Sequence, residues 1–225
     1  ALLALIDQHR RRVQHEDQHE HRRRAGAGLV EARQRGRALG RGAVDADRAV
    51  VVGNHGEIRR TGNGGSSWED ADTIPVSSSF QGIARDASDD LWVVSTNGEI
   101  LSSGDAGQNW SQHTAPAGVD DLRAVTFVGT DDGWAVGWGP HIIHTSDGGQ
   151  NWSVQNADGD PSRVWDVAFD NAQNGLIAGW KGSLQGGFIQ RTVNGGSDWS
   201  LVDLSEHAPG PILGLWFADD RSSAW

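Results

Sequence analysis

At 225 residues, with 31 Gly and 11 Trp but no Cys, Met or Tyr, the chain is long enough to bury a sizeable core and has no disulfide or thiolate chemistry to draw on. Its net charge of −11 is unevenly placed: residues 1–42 hold ten Arg against five acidic residues, a net of +5, which leaves −16 for residues 43–225. An acidic body repels phosphate, which argues against nucleic acid or an anionic membrane surface as partner, and no apolar run is long enough to cross a bilayer.

Residues 1–42 lack the turns and tryptophans that mark the rest of the chain. Arg, Ala, Gly, His and Gln dominate the segment, and its arginines come after the short apolar run ALLALI instead of preceding it as in a secretory signal. It reads as a low-complexity basic leader, disordered or translated out of frame. The lack of Met, at position 1 as elsewhere, is what a fragment shows.

From residue 43 onward one turn recurs four times. It appears as TGNGGSSW (Thr61, Asn63, Gly65, Trp68), SGDAGQNW (Ser103, Asp105, Gly107, Trp110), TSDGGQNW (Thr145, Asp147, Gly149, Trp152) and TVNGGSDW (Thr192, Asn194, Gly196, Trp199). The tryptophans are spaced by 42, 42 and 47 residues, a fixed period that marks a repeat architecture. Around each box lie four short runs rich in Val, Ile, Phe and Trp, separated by Gly, Asn, Asp and Ser, without helical periodicity. These predict four antiparallel strands per repeat.

Four strands in about 42 residues make one β-propeller blade, so the fold class is all-β, a partial propeller. The blades are expected over 43–76, 77–118, 119–160 and 161–208, with a partial one over 209–225. In the third repeat the strands are placed near 122–128, 133–138, 141–146 and 151–156. The longer fourth repeat carries its extra residues inside GWKGSLQGGF, between its second and third strands.

The box has a local explanation. Its Asp or Asn accepts hydrogen bonds from turn amides, its Ser or Thr hydroxyl does the same, Gly supplies a positive φ, and Trp packs beside the next strand or blade. Because Asn63 and Asn194 stand where Asp105 and Asp147 do, the position needs an acceptor and not a charge, which argues against a metal or acid/base role.

Other candidate chemistry is weak. The acid pairs Asp120–Asp121, Asp131–Asp132 and Asp219–Asp220 sit in turns, where Asp serves the backbone. The stretch NADGDPS starts like a calcium loop but has Pro161 where the loop glycine belongs and Val167 where the bidentate Glu belongs. The histidines lack metal spacing, and no cofactor motif is present. The remaining signal is geometric: the loops joining second to third strands, and fourth strand to next blade, open on one face. That face is expected to carry Arg123, Trp138, His141, Arg163, Trp180 and Lys181, together with His55, His113 and His207, as a partner-binding surface. The alternative for Trp138 and Trp180 is packing between blades.

The turn is the Asp-box, or bacterial neuraminidase repeat, and GWAVGWGPHIIHTSDGGQNW resembles the photosystem II stability/assembly factor family over roughly residues 44–225. The resemblance implies a seven-bladed propeller that binds a protein partner, such as a membrane-protein complex under assembly, and catalyses no known reaction. It also implies export to a periplasm, cell envelope or thylakoid lumen. Seven blades need roughly 290 residues, so about four are expected here. The family carries an arginine patch that does not map by motif onto this sequence. Two other readings stay open: an Asp-box glycoside hydrolase of sialidase type, although its tyrosine nucleophile has no counterpart in a chain without Tyr, and a structural or adhesive cell-surface repeat.

Overall fold

The computed structural model describes residues 38–43, 47–139, 141–159, 163–181, 186–204, 210–215 and 217. Every sheet has four antiparallel strands in sequence order, as short apolar runs joined by tight turns require. The first blade contains β1 (Ala38–Ala43), β2 (Ala49–Gly53), β3 (Ile58–Thr61) and β4 (Glu69–Asp70). The second contains β5 (Phe80–Arg85), β6 (Leu91–Ser95), β7 (Ile100–Ser103) and β8 (Ser111–His113). The third contains β9 (Leu122–Val128), β10 (Asp132–Gly137), β11 (His141–Thr145) and β12 (Ser153–Asn156). The fourth contains β13 (Arg163–Phe169), β14 (Gly175–Trp180), β15 (Gly187–Thr192) and β16 (Ser200–Leu201). The first strand of each blade touches the first strand of the next, so β1, β5, β9 and β13 form the inner ring.

The first blade begins earlier than the sequence reading placed it. Strand β1 takes Ala38–Ala43 and pairs with β2 through Ala43↔Ala49 and Gly40↔Val52. Its sequence, ALGRGA, is mostly small residues with one Leu and one Arg, so composition merged it with the leader. Residues 1–37 lie outside the described residues, as do 218–225 at the other end.

In the second and third blades the second strand lies between two neighbouring sheets, which is why it reads as an almost unbroken apolar run. β2 and β6 are buried along their whole length. Alternate residues of β6 serve opposite neighbours. Leu91 and Val93 join Val50, Val52 and Ile58 of the first blade, while Trp92 and Val94 join Leu122, Val125 and Ile143 of the third. The core is thus a series of seams between blades, the third seam joining Trp134, Val136 and Ile142 to Val164, Ile177 and Phe188.

Three of the four box tryptophans belong to the seam behind their blade. Trp110 packs with the first blade's valines, Trp152 lies 6.4 Å from Trp92, and Trp199 lies 6.0 Å from Phe169 in the seam with the third blade. The expected position was beside the next strand or blade, and the blade is the part corrected: in these three boxes the turn carries the indole back onto the preceding blade. Gly149 shows why the box needs glycine, with a φ of 77° and a position where a Cβ would stand 2.2 Å from Trp92.

Candidate functional site: an arginine–tryptophan cluster on one blade face

The box side chains are committed to the turn. In all four, the hydroxyl donates to the Asn or Asp Oδ1 and accepts from the box glycine N–H, at 3.0 Å for Thr61 to Gly65, 2.9 Å for Ser103 to Gly107, 2.9 Å for Thr145 to Gly149 and 2.8 Å for Thr192 to Gly196. The same Oδ1 then accepts from the N–H four residues on, at 2.9 Å for Asp147 from Asn151. The backbone N–H and side-chain amide of Asn151, followed by Thr145, hold the Asp147 carboxyl down at about 2. Trp110 Nε1 donates to the Gly107 carbonyl at 3.0 Å, whereas Nε1 of Trp152 and Trp199 is buried without a partner among the described residues.

A different position carries the face. Every inner strand has a β-bulge at its start: pairing skips Leu39, Gln81, Arg123 and Trp165, each 42 residues after the last. A bulge leaves its residue out of the ladder and re-aims the side chain. Gly137 permits the crossing in the third blade, since a Cβ there would lie 1.9 Å from the Asp121 carbonyl.

The bulge side chains meet from blade to blade. Arg123 Nη1 donates to Gln81 Oε1 at 3.1 Å, and its guanidinium carbon lies 5.7 Å from the Trp165 ring centre and 4.8 Å from that of Trp138. Arg163 stacks on the same Trp138 ring at 4.3 Å, and Trp138 meets Trp165 edge to face at 6.4 Å. Asp121 closes on Arg123, with Oδ2 accepting from Nη2 at 2.9 Å and Oδ1 at 2.7 Å from Nε. The second approach is too oblique for a hydrogen bond and acts as charge on charge. Stacking of guanidinium on indole fixes two flexible side chains and leaves the donor edges in plane.

Of the residues expected on this face, Arg123, Trp138 and Arg163 are in contact. Trp180 is the cross-strand partner of Arg163, half-buried, and Lys181 comes next with its N–H on the Gly186 carbonyl at 3.1 Å. His141 starts β11 beside the turn after Trp138. His113 is elsewhere: its ring lies tilted against Trp92 at 4.9 Å, and burial holds its imidazole below the usual value. His55 is exposed, and His207 and loop residues 182–185 lie outside the described residues. The loop that begins like a calcium site is held by the buried Gln190 amide, which donates to the Asp158 carbonyl at 2.6 Å and accepts from its N–H at 3.0 Å.

Sequence reasoning missed Trp165, Asp121 and Gln81. The signal was available, since Gln81, Arg123 and Trp165 occupy one repeat position and Thr96, Trp138 and Trp180 another, both at the period of 42. Among the described residues, no helix is long and apolar enough to cross a membrane.

Residues 118–220 match the family model described as photosynthesis system II assembly factor YCF48. A search of curated proteins found no match. Among solved structures, the chain is similar to YCF48 bound to D1 peptide, with 19% identity, a TM-score of 0.60, and coverage of 75% of this chain and 56% of that one. It is also similar to YCF48 from Cyanidioschyzon merolae, with 20% identity, a TM-score of 0.56, and coverage of 73% of this chain and 55% of that one. An ancestral GH74 enzyme matches at 13% identity and a TM-score of 0.61, covering 77% of this chain and 26% of that one. The chain therefore spans a little over half the length of the two YCF48 structures, and these likenesses carry the propeller fold. With four Asp-boxes on the four described blades and the family model lying across the third and fourth, the chain is similar over that part of its length to the photosystem II assembly factor-like Asp-box β-propellers.

Proposed function

We propose that the chain is a non-catalytic protein-binding propeller of assembly-factor type, and that it presents the face at the start of β9 and β13 to a partner polypeptide. The observation that carries this is Arg163, exposed and stacked on Trp138 next to the half-buried Arg123. An indole and guanidinium fixed by one another lose little entropy on binding, the property shared by residues that dominate protein interfaces. The carboxylates that a hydrolase would need are engaged otherwise: Asp121 pairs with Arg123, and Asp132 lies 3.4 Å from His144. Placement in a periplasm, envelope or lumen belongs to the same proposal, as does a membrane-protein complex under assembly as partner.

One solved relative is described as bound to D1 peptide, which makes such a peptide the first probe. Calorimetric titration of a D1 peptide into the chain is expected to give saturable binding, weakened about tenfold by Trp138→Ala. Binding that survives Trp138→Ala and Arg163→Ala together places recognition elsewhere.

A further inference from the structure

Arg123 and Arg163 flank one indole, yet they differ electrostatically. Arg123 is closed: Asp121 covers Nε and Nη2, Gln81 takes Nη1, and the two ionic side chains are only 18% and 20% exposed. Arg163 is open: it is exposed and has no carboxylate partner among the described residues.

Asp121 is held in place for this task. Its φ of 49° lies in the left-handed region, whereas Ser79 and Arg163, at the same repeat position, are not left-handed. Its backbone is fixed on both sides, the N–H donating to the Thr96 carbonyl at 3.1 Å and the carbonyl accepting from Trp138 N–H at 3.0 Å. A disfavoured conformation held by both neighbours marks a side chain whose direction matters. The carboxylate it delivers cancels one of two guanidinium charges that would otherwise repel across Trp138.

We propose that Asp121 is the specificity-determining residue of this face: by neutralising Arg123 it leaves Arg163 as the single open cation, so the face selects a partner segment bringing one carboxylate over a segment bringing two adjacent ones. The second carboxylate would reach Arg123 only by approaching Asp121, and like charges brought together at an interface reject the wrong partner. This rests on the protein-binding reading of the same face.

The test compares two blocked six-residue peptides of Ala and Leu, one carrying a single Glu and the other two adjacent Glu, titrated into the full chain. The wild-type chain is expected to favour the single-Glu peptide. Asp121→Asn, which tolerates the left-handed backbone and removes only charge, is expected to shift the affinity ratio about tenfold toward the double-Glu peptide. Arg123→Gln is the second variant, serving also if Asp121→Asn melts early. It leaves the Asp121 charge bare and should move the ratio the other way. A wild-type preference for two Glu, or a ratio that neither variant moves, overturns the role of Asp121 while leaving peptide binding in place. Failure of the wild-type chain to bind either peptide overturns the protein-binding reading, and this inference with it.

Discussion

Asn151 Nδ2 donates to Asp147 Oδ2 at 2.7 Å across the third box, and in the fourth box the same two positions are exchanged, Asn194 Nδ2 donating to Asp198 Oδ2 at 2.9 Å. The second box repeats the first arrangement with Asp105 and Asn109 at 2.9 Å, and the first box uses Asn63 with the Ser67 hydroxyl at 2.8 Å. The two positions are a complementary donor and acceptor pair. Charge at the third box position is free to vary only when its partner varies too, which refines the sequence-based expectation that an acceptor alone suffices.

Asp147→Asn therefore keeps Oδ1 for the turn amides but sets two amide groups against each other. It is expected to lower Tm by about 2 to 4 °C, the shift for one hydrogen bond in a chain of this size. Asp147→Ala should cost more, and the double change Asp147→Asn with Asn151→Asp should recover most of the loss by recreating the fourth box. Thermal melts of the three variants decide this; a double mutant no better than Asp147→Asn alone removes the pairing rule.

Acid should release the second and third boxes. Asp147 is held at about 2, below its ordinary value of 3.8, by hydrogen bonds from Asn151 and Thr145. For Asp105, burial pushes the carboxyl up, but hydrogen bonds from Asn109, Ser103 and Gln108 outweigh it and the net direction is down. A folded value below the unfolded one means stability that is present above the ordinary carboxylate range and lost as pH falls from about 4 toward about 2. Melting curves between pH 5 and pH 2 should show this slope, and the Asp105→Asn, Asp147→Asn double variant should show a shallower one.

Ala106 has a φ of 57°, at the position occupied by Gly64, Gly148 and Gly195 in the other boxes. A left-handed residue with a Cβ costs roughly 1 to 2 kcal/mol, part of which glycine returns through its looser unfolded chain. Ala106→Gly is thus expected to stabilise the protein by about 0.5 to 1 kcal/mol, read as a higher urea midpoint at unchanged slope.

Strand β1 supplies a test of where the first blade begins. Deleting residues 1–43 should leave β2 without its inner partner and lower Tm by several degrees relative to deleting residues 1–37, because β2 buries Val50, Val51 and Val52 beside it. Equal melts for the two deletions would place β1 outside the cooperative unit.

Much of the fold was legible because the chain repeats itself. The third-blade strands expected near 122–128, 133–138, 141–146 and 151–156 lie at Leu122–Val128, Asp132–Gly137, His141–Thr145 and Ser153–Asn156. Apolar runs and glycine turns report strands directly, and four copies average out local noise. The first strand at Ala38–Ala43 was not legible, since ALGRGA has neither an apolar run nor an apolar/polar alternation. The site was half legible for a related reason. Arg123 and Trp138 stand out by type, but their contact depends on a bulge, which is a matter of register that residue type does not report. Asp121 looked like one of many turn aspartates until its partner was known.

The bulge at Gln81, Arg123 and Trp165 separates what holds the blades together from what they show the outside. Ladder hydrogen bonds and seam packing pass these positions by, so changes there tax the framework little while rewriting the surface. A laboratory library confined to residues 81, 123 and 165, with 121 as a charge setting, would sample new surfaces on an unaltered scaffold.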